Sequence, residues 1–318
     1  MKNLAIAPSD SLSAGPRWVS EEQLRGALTY QDAIAVLEQT LVDGYDPEED
    51  GSRTRHHGPS GTLLQMPSAS RAWCGTKLVT LRDDQGSTDL PIIQGVYVLF
   101  DGKSLQPVAF LDGAGLTALR TPAMTVLAVK HLAPFEAGRV ALFGTGVQAR
   151  GHVEALLSVF RPTSIAVVGR NSERAQTLSQ WIASLGITST VAGPEVVSEA
   201  DVILCCTSSS EPLFDGSLVQ DHAVVAAIGS HDPQSREVDT TLVRRSTAVV
   251  ESRSSAMREA GDLIIPNEGG EFEWNTAVTI REIVLGEQAV DVSRPRLFKG
   301  TGMPWQDLAV ASSIYMFT

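Results

Sequence analysis

Two glycines one residue apart, Gly144 and Gly146, follow the apolar run RVALF (139–143) and open a segment with helical spacing of apolar residues. Gly144-Thr145-Gly146-Val147-Gln148-Ala149 fits G-x-G-x-x-A between a strand and a helix, the turn that receives a dinucleotide pyrophosphate. The first glycine permits the tight turn and the second lets backbone amides approach the phosphates. The small Ala149 allows the helix to lie close to the strand, and the helix start faces the negative charge. Gly144, Thr145, Gly146, Val147 and Gln148 are therefore candidate cofactor contacts.

The end of the next strand bears on which dinucleotide is held. NAD sites usually place an acid there against the ribose hydroxyls. Here the chain reads Val168-Gly169-Arg170-Asn171-Ser172, with Arg174 following and no carboxylate. Arginine holds a 2′-phosphate by charge-assisted, paired hydrogen bonds, whereas an acid would repel it. Arg170, Asn171 and Arg174 thus point to NADP(H), with NAD(H) possible. Cys205-Cys206-Thr207-Ser208 closes a later strand. Ligands on open α/β sheets lie beyond such carboxyl ends, which makes Cys206, Thr207 and Ser208 candidates for the nicotinamide ribose. Both cysteines read as small packing residues rather than nucleophiles.

These turns need a sheet to hold them. Strand-like runs occur at 139–143, 164–169, 201–206, 223–229 and 247–252, alternating with helical segments. That alternation predicts an α/β fold with a doubly wound parallel sheet of the Rossmann type. The chain before it differs. Residues 21–44 read as one amphipathic helix, and GTKLVTL (75–81), GVYVLFD (95–101) and PVAFLDG (107–113) as strands, with a hairpin turn at Asp101-Gly102. TPAMTVLAVKHLA (121–133) reads as a connecting helix with Thr121 as its cap and Pro122 in its first turn, and Ser172 as the cap of a later helix. The tail from Gly302 is helical again. The predicted division is an α+β substrate and dimerisation domain of residues 1–122 and 296–318, and a dinucleotide-binding domain of residues 123–295.

Composition excludes several partners. A net charge of −12 over 318 residues disfavours nucleic acid and anionic membrane, which would repel such a surface. No apolar run reaches the length of a membrane span, and the start MKNLAIAPSD has too short an apolar stretch for a signal peptide. Cys74, Cys205 and Cys206 form neither a disulfide framework nor a zinc spacing, which fits a reducing, cytoplasmic setting. His56-His57, without a carboxylate or thiol set, reads as loop rather than metal site.

Five segments together resemble the ornithine cyclodeaminase/μ-crystallin family. They are Gly75-Thr76-Lys77-Leu78-Val79-Thr80, Leu116-Thr117-Ala118-Leu119-Arg120-Thr121, the glycine turn, Ala260-Gly261-Asp262-Leu263, and Phe298-Lys299-Gly300-Thr301-Gly302-Met303. The resemblance implies a Rossmann domain, a substrate domain that pairs into a homodimer, and hydride transfer at an amino-acid α-carbon. It carries Arg53, Lys77 and Arg120 over as ligands of a substrate carboxylate, with Arg55 near enough to leave the first register open, and sets Thr121 on the cofactor. Opposite charge and a forked guanidinium suit a carboxylate held beside a nicotinamide, and a buried lysine has a lowered pKa suited to proton exchange. Asp307 is either a partner for a pocket lysine or a solvated first-turn acid.

One departure separates the family's activities. Its cyclodeaminases carry Gly-Gly-Asp where this chain has Gly229-Ser230-His231, followed by Asp232 and Pro233. The aspartate acts on the amino group in ammonia loss and ring closure. His231 in its place, with Asp232 one register step away, favours a reductase in which Lys77 or His231 manages the nitrogen proton. The expectation is an NADPH-dependent reductase or dehydrogenase of a cyclic imino acid or α-amino acid, of the pyrroline- or piperideine-2-carboxylate type. The alternatives are an ornithine cyclodeaminase recycling its own NAD, and a non-catalytic, dinucleotide-dependent binding protein like μ-crystallin.

Overall fold

Short runs rich in valine, isoleucine and alanine, buried on both faces, build a parallel sheet in the computed structural model, which describes residues 15–83, 91–133 and 138–317. Its strands are β7 (Arg139–Phe143), β8 (Ser164–Val168), β9 (Thr188–Val191), β10 (Val202–Cys205), β11 (Val224–Ala227), β12 (Thr247–Val250), β13 (Val278–Thr279) and β14 (Arg296–Lys299). They lie in the order β13-β12-β14-β11-β10-β7-β8-β9, every pairing parallel. The crossovers carry α4 (Val147–Val159), α5 (Ser172–Ser184), α6 (Thr240–Arg245), α7 (Arg253–Glu259), α8 (Gly261–Glu268) and α9 (Ile280–Val284). This is the doubly wound sheet that the alternation predicts. The N-terminal stretch read for a signal peptide lies outside the described residues. Among them, no helix is long and apolar enough to cross a membrane.

The N-terminal part forms a second, mixed sheet in the order β1-β6-β5-β4-β3-β2. Its strands are β1 (Arg17–Val19), β2 (Thr54–Gly58), β3 (Gly61–Ala69), β4 (Trp73–Arg82), β5 (Ile93–Asp101) and β6 (Pro107–Asp112). Alternating burial along β3 to β6 marks one face as core. Helices α1 (Glu21–Ala27), α2 (Tyr30–Val42), α3 (Gly113–Leu132) and α10 (Pro304–Phe317) cover that face and join it to the parallel sheet.

Several local expectations are corrected. The segment 21–44 is two helices, because Leu28 is extended and Thr29 starts α2 in a reciprocal cap with Asp32. α3 starts at Gly113, capped by Asp112 Oδ1 on the Gly115 amide at 2.7 Å, and runs unbroken past residue 122. Thr121 is therefore not its cap, and Pro122 lies inside it. Proline has no amide to offer the Ala118 carbonyl, and the Tyr30 hydroxyl donates to that oxygen instead, at 3.3 Å. Asn171, not Ser172, caps α5. β14 pairs with β11 and β12, so residues 296–299 belong to the parallel sheet and the chain crosses back only after them. At the Asp101 turn the left-handed residue is Leu105, and His56-His57 lie in strand β2.

His152 on α4 is fully buried, with Nδ1 2.7 Å from the Gln148 carbonyl and Nε2 3.0 Å from Thr125 Oγ1 on α3. Burial pushes its pKa down from 6.5 to about 4. As pH falls through 6.5 the unfolded chain takes the proton first, so stability is complete above 6.5 and declines towards 4. The full gap corresponds to about 3 kcal/mol. In His152→Gln, the stability lost between those pH values, read by urea denaturation, should shrink by about that amount; an unchanged loss would contradict the assignment.

Candidate active site

Alternation along β4 turns Gly75, Lys77 and Val79 to the buried face, and Lys77 sits between Met66 of β3 and Tyr97 of β5. A lysine is thereby carried into the interior. α10 packs across β3, β4 and β5 and brings Asp307 to it. Lys77 Nζ lies 2.9 Å from Asp307 Oδ1 and 2.8 Å from Oδ2, and donates to Thr117 Oγ1 at 3.1 Å. Arg120, one turn further along α3, donates from Nε to the same Asp307 Oδ1 at 3.2 Å. One fully buried carboxylate serves two buried cations. Burial, then Arg120, push the Lys77 pKa down to about 7 against the pull of Asp307.

Arg53 enters from the loop ahead of β2. Its Nη2 donates to the carbonyls of Thr301 at 3.0 Å and Gly302 at 2.7 Å, and the guanidinium lies 3.6 Å from Glu259. Its Nε is buried without a hydrogen-bond partner. Gly302, at φ +78°, lets the crossing segment lie against Arg120, whose Nη1 a Cβ there would meet at 2.9 Å. Arg55 is exposed and donates to the His231 carbonyl at 3.0 Å. Burial, together with Arg53, Arg55, Lys299 and Arg120, pushes His231 down to about 3. The imidazole is neutral at physiological pH and is not an imidazolium donor.

At the carboxyl edge of the parallel sheet, Gly144 takes φ +109° and donates its amide to the Val168 carbonyl at 2.9 Å. A side chain at 144 would strike the Cys206 carbonyl. Gly146 starts α4 with no side-chain cap, and no atom lies within 4 Å of where its Cβ would stand. Free amides and open space at a helix start fit a phosphate. Thr145 is half-buried, Val147 is exposed, and Gln148 has a buried, unpartnered Oε1. The half-buried Cys206 and Thr207 and the exposed Ser208 lie at the same edge. Burial holds the Cys206 thiol well above its usual range, which removes it as a nucleophile. Thr121 follows Arg120 within α3, half-buried, its carbonyl accepting from Thr125 Oγ1 at 3.0 Å.

Sequence reading missed the buried groups that hold this edge together. Glu237 Oε1 accepts from the Thr207 amide and hydroxyl at 2.8 and 2.7 Å, and Oε2 from the Gly229 amide at 2.7 Å. Burial raises its pKa to about 7. Asp262 accepts from the amides of Glu237 and Val238 and pairs with Lys299 at 2.7 Å, and Lys299 also donates to the Ser230 carbonyl at 2.7 Å. Asp262 and Lys299 stand in two of the quoted family segments, a signal that could have marked them. Glu237 stands in none.

The family model for the ornithine cyclodeaminase/mu-crystallin family matches residues 31–316. The chain belongs to that family. It is 34% identical over 263 residues to a Δ1-pyrroline-2-carboxylate reductase of Bacillus thuringiensis subsp. konkukian, covering 80% of this chain and 81% of the relative. To the ketimine reductase mu-crystallin of Mus musculus it is 30% identical, over 96% of this chain and 98% of that one. The Δ1-pyrroline-2-carboxylate reductase of Thermococcus litoralis, in complex with NADH and L-proline, superposes with a TM-score of 0.87 at 26% identity, covering 94% and 96% of the two chains.

That structure corrects the expected preference for NADP(H): the coenzyme in its complex is NADH. The arginines that suggested the extra phosphate, Arg170 and Arg174, are exposed at the start of α5, and the Asn171 side chain accepts from the Arg174 amide at 2.9 Å as a helix cap. An exposed guanidinium is satisfied by water, so a missing acid at the strand end is no sign of a phosphate partner.

Asp307 is the group that raises the proton affinity of Lys77. Asp307→Asn should lower the Lys77 pKa below 7 by about one unit or more, read from the Cε resonance of labelled lysine. An unmoved titration would show that the carboxylate does not tune the amine.

Proposed function

We propose that this family member is an NAD(H)-dependent reductase of a cyclic α-imino acid of the Δ1-pyrroline-2-carboxylate type. The observation that carries the reading is the cluster of Arg53, Lys77 and Arg120, whose side chains are buried and whose lysine is brought to about 7. A small acid needs paired positive charge to enter such a pocket, and its ring nitrogen needs a proton donor that titrates near neutrality. Reduction of the cyclic imine requires both. The relatives named as reductases of that substrate support the same choice.

A bound dinucleotide would supply a hydride to the imine carbon. The uncapped start of α4 and the glycine turn would hold its phosphates, through Gly144, Thr145, Gly146, Val147 and Gln148, while Thr121, Arg170, Asn171 and Arg174 would border the adenosine side and neighbouring phosphate. Cys206, Thr207 and Ser208 would flank the nicotinamide ribose. Arg120 and Arg53 grip the substrate carboxylate. Lys77, protonated, gives its proton to the ring nitrogen as the carbon takes the hydride, so imine, hydride and proton together become a cyclic amine and Lys77 is left neutral. Asp307 and Thr117 aim that ammonium. His231 contacts the substrate as a neutral imidazole. Among four cations it has no negative charge with which to hold a second amino group, which sets this site apart from a cyclodeaminase.

In this reading residues 15–122 and α10 form the substrate side and the parallel sheet forms the coenzyme side. The outward face of the mixed sheet aligns Trp18, Phe110, Val98 and Thr76 across four strands, and Trp18 is 55% exposed. A second copy covering that face gives a homodimer. Light scattering should return twice the chain mass; a monomer at micromolar concentration would overturn the pairing. Three free cysteines suit the reducing cytoplasm.

Purified protein should oxidise NADH when given Δ1-pyrroline-2-carboxylate. Because the donor is the protonated amine, kcat for reduction should be level below about pH 7 and fall about tenfold per unit above it. Lys77→Met should abolish that limb and lower kcat by about 100-fold or more. No NADH consumption with any cyclic imino acid would sink the proposal.

A further inference from the structure

Arg120 is held from behind by hydrogen bonds that begin on the parallel sheet. Glu251, buried just past β12, accepts from the amides of Thr301 and Gly302 on Oε2, both at 2.9 Å. Its Oε1 accepts from Gln306 Nε2 at 2.6 Å. Gln306, fully buried on α10, accepts on Oε1 from Arg120 Nη1 at 3.1 Å. Chemistry dictates the polarity of this chain. A carboxylate can only accept, so Gln306 turns its amide nitrogen to Glu251 and its oxygen to the guanidinium, which can only donate. Reversal would set two donors face to face in a buried site.

With Nε on Asp307 and Nη1 on Gln306, two of the three guanidinium nitrogens are tied, and the plane of the fork with them. We propose that Glu251, acting through Gln306, is a positioning residue that orients Arg120 towards the substrate carboxylate. The inference rests on the reading of Arg120 as a carboxylate ligand. It also ties the crossing segment at Thr301 and Gly302 to the same arginine through a single side chain.

A polarity swap tests it. In Glu251→Gln the new amide keeps an oxygen on the two backbone amides and offers its nitrogen to Gln306. Gln306 must then flip and present donors to Arg120. The double variant Glu251→Gln/Gln306→Glu restores every donor–acceptor pair with the same total charge. For Glu251→Gln the KM for Δ1-pyrroline-2-carboxylate should rise about tenfold with the KM for NADH unchanged. The double variant should return to within about twofold of the native value. The Arg120 side-chain nitrogen resonances, assigned by Arg120→Lys, report the relay without turnover and should shift in the single variant and return in the double. Unshifted resonances would overturn the relay while leaving the role of Arg120 intact. Shifted resonances with an unchanged KM would overturn Arg120 as the carboxylate ligand, and the positioning role with it. A double variant no better than the single would show that the site of the charge, not hydrogen-bond polarity, matters at these positions, and would overturn the relay.

Discussion

One buried carboxylate shared by two cations is the constraint around which this molecule is arranged. Asp307 receives Lys77 from the mixed sheet and Arg120 from α3, with almost no access to solvent. Removing charges from water is costly, and losing one partner of such a group costs about 3–5 kcal/mol. The three side chains must therefore arrive together from three distant parts of the chain. That demand explains why the C-terminal helix returns across the sheet of the first unit: it delivers the carboxylate that lies between Lys77 and Arg120. With Lys77 protonated, two cations on one anion leave an excess of positive charge.

The segment from β14 to α10 spans the two units, and its polar groups are tied at each step. Lys299 is locked to Asp262 and the Ser230 carbonyl, the amides of Thr301 and Gly302 to Glu251, and their carbonyls to Arg53. The carboxyl edge of the parallel sheet and the cation cluster are thus one connected network. Glu237 extends it to Thr207 and Gly229, pinning the ends of β10 and β11. Buried polar groups linked to several partners at once are costly to disturb, so a change at one of them is felt across the network.

His231 shows how environment overrides residue type. Histidine titrates near neutrality in water and invites an acid–base role. Here burial and four cations hold it neutral, and the lysine takes the value near 7 instead. The strand-end arginines show the same limit. Residue type suggested a phosphate partner, but exposure at the start of α5 makes water a sufficient one.

Much of the fold was legible because its signals are local. Alternating strands and helices, the glycine turn, and strand patterning in β4 to β6 depend on near neighbours, and so does the G-x-G-x-x-A fit at residues 144–149. Short strands β9, β13 and β14 escaped notice, since two to four residues carry too little pattern. Lys77 and Arg120 were visible only through family-like segments; composition and spacing alone left them as ordinary strand and helix residues. The sequence by itself determined the parallel sheet, the glycine turn and the types of charge available. The tertiary structure decided which charges meet: Asp307 lies 230 residues from Lys77, and Glu251 reaches Arg120 only through Gln306. Desolvation and hydrogen-bond polarity arise from such long-range packing, and no local pattern along the chain records them.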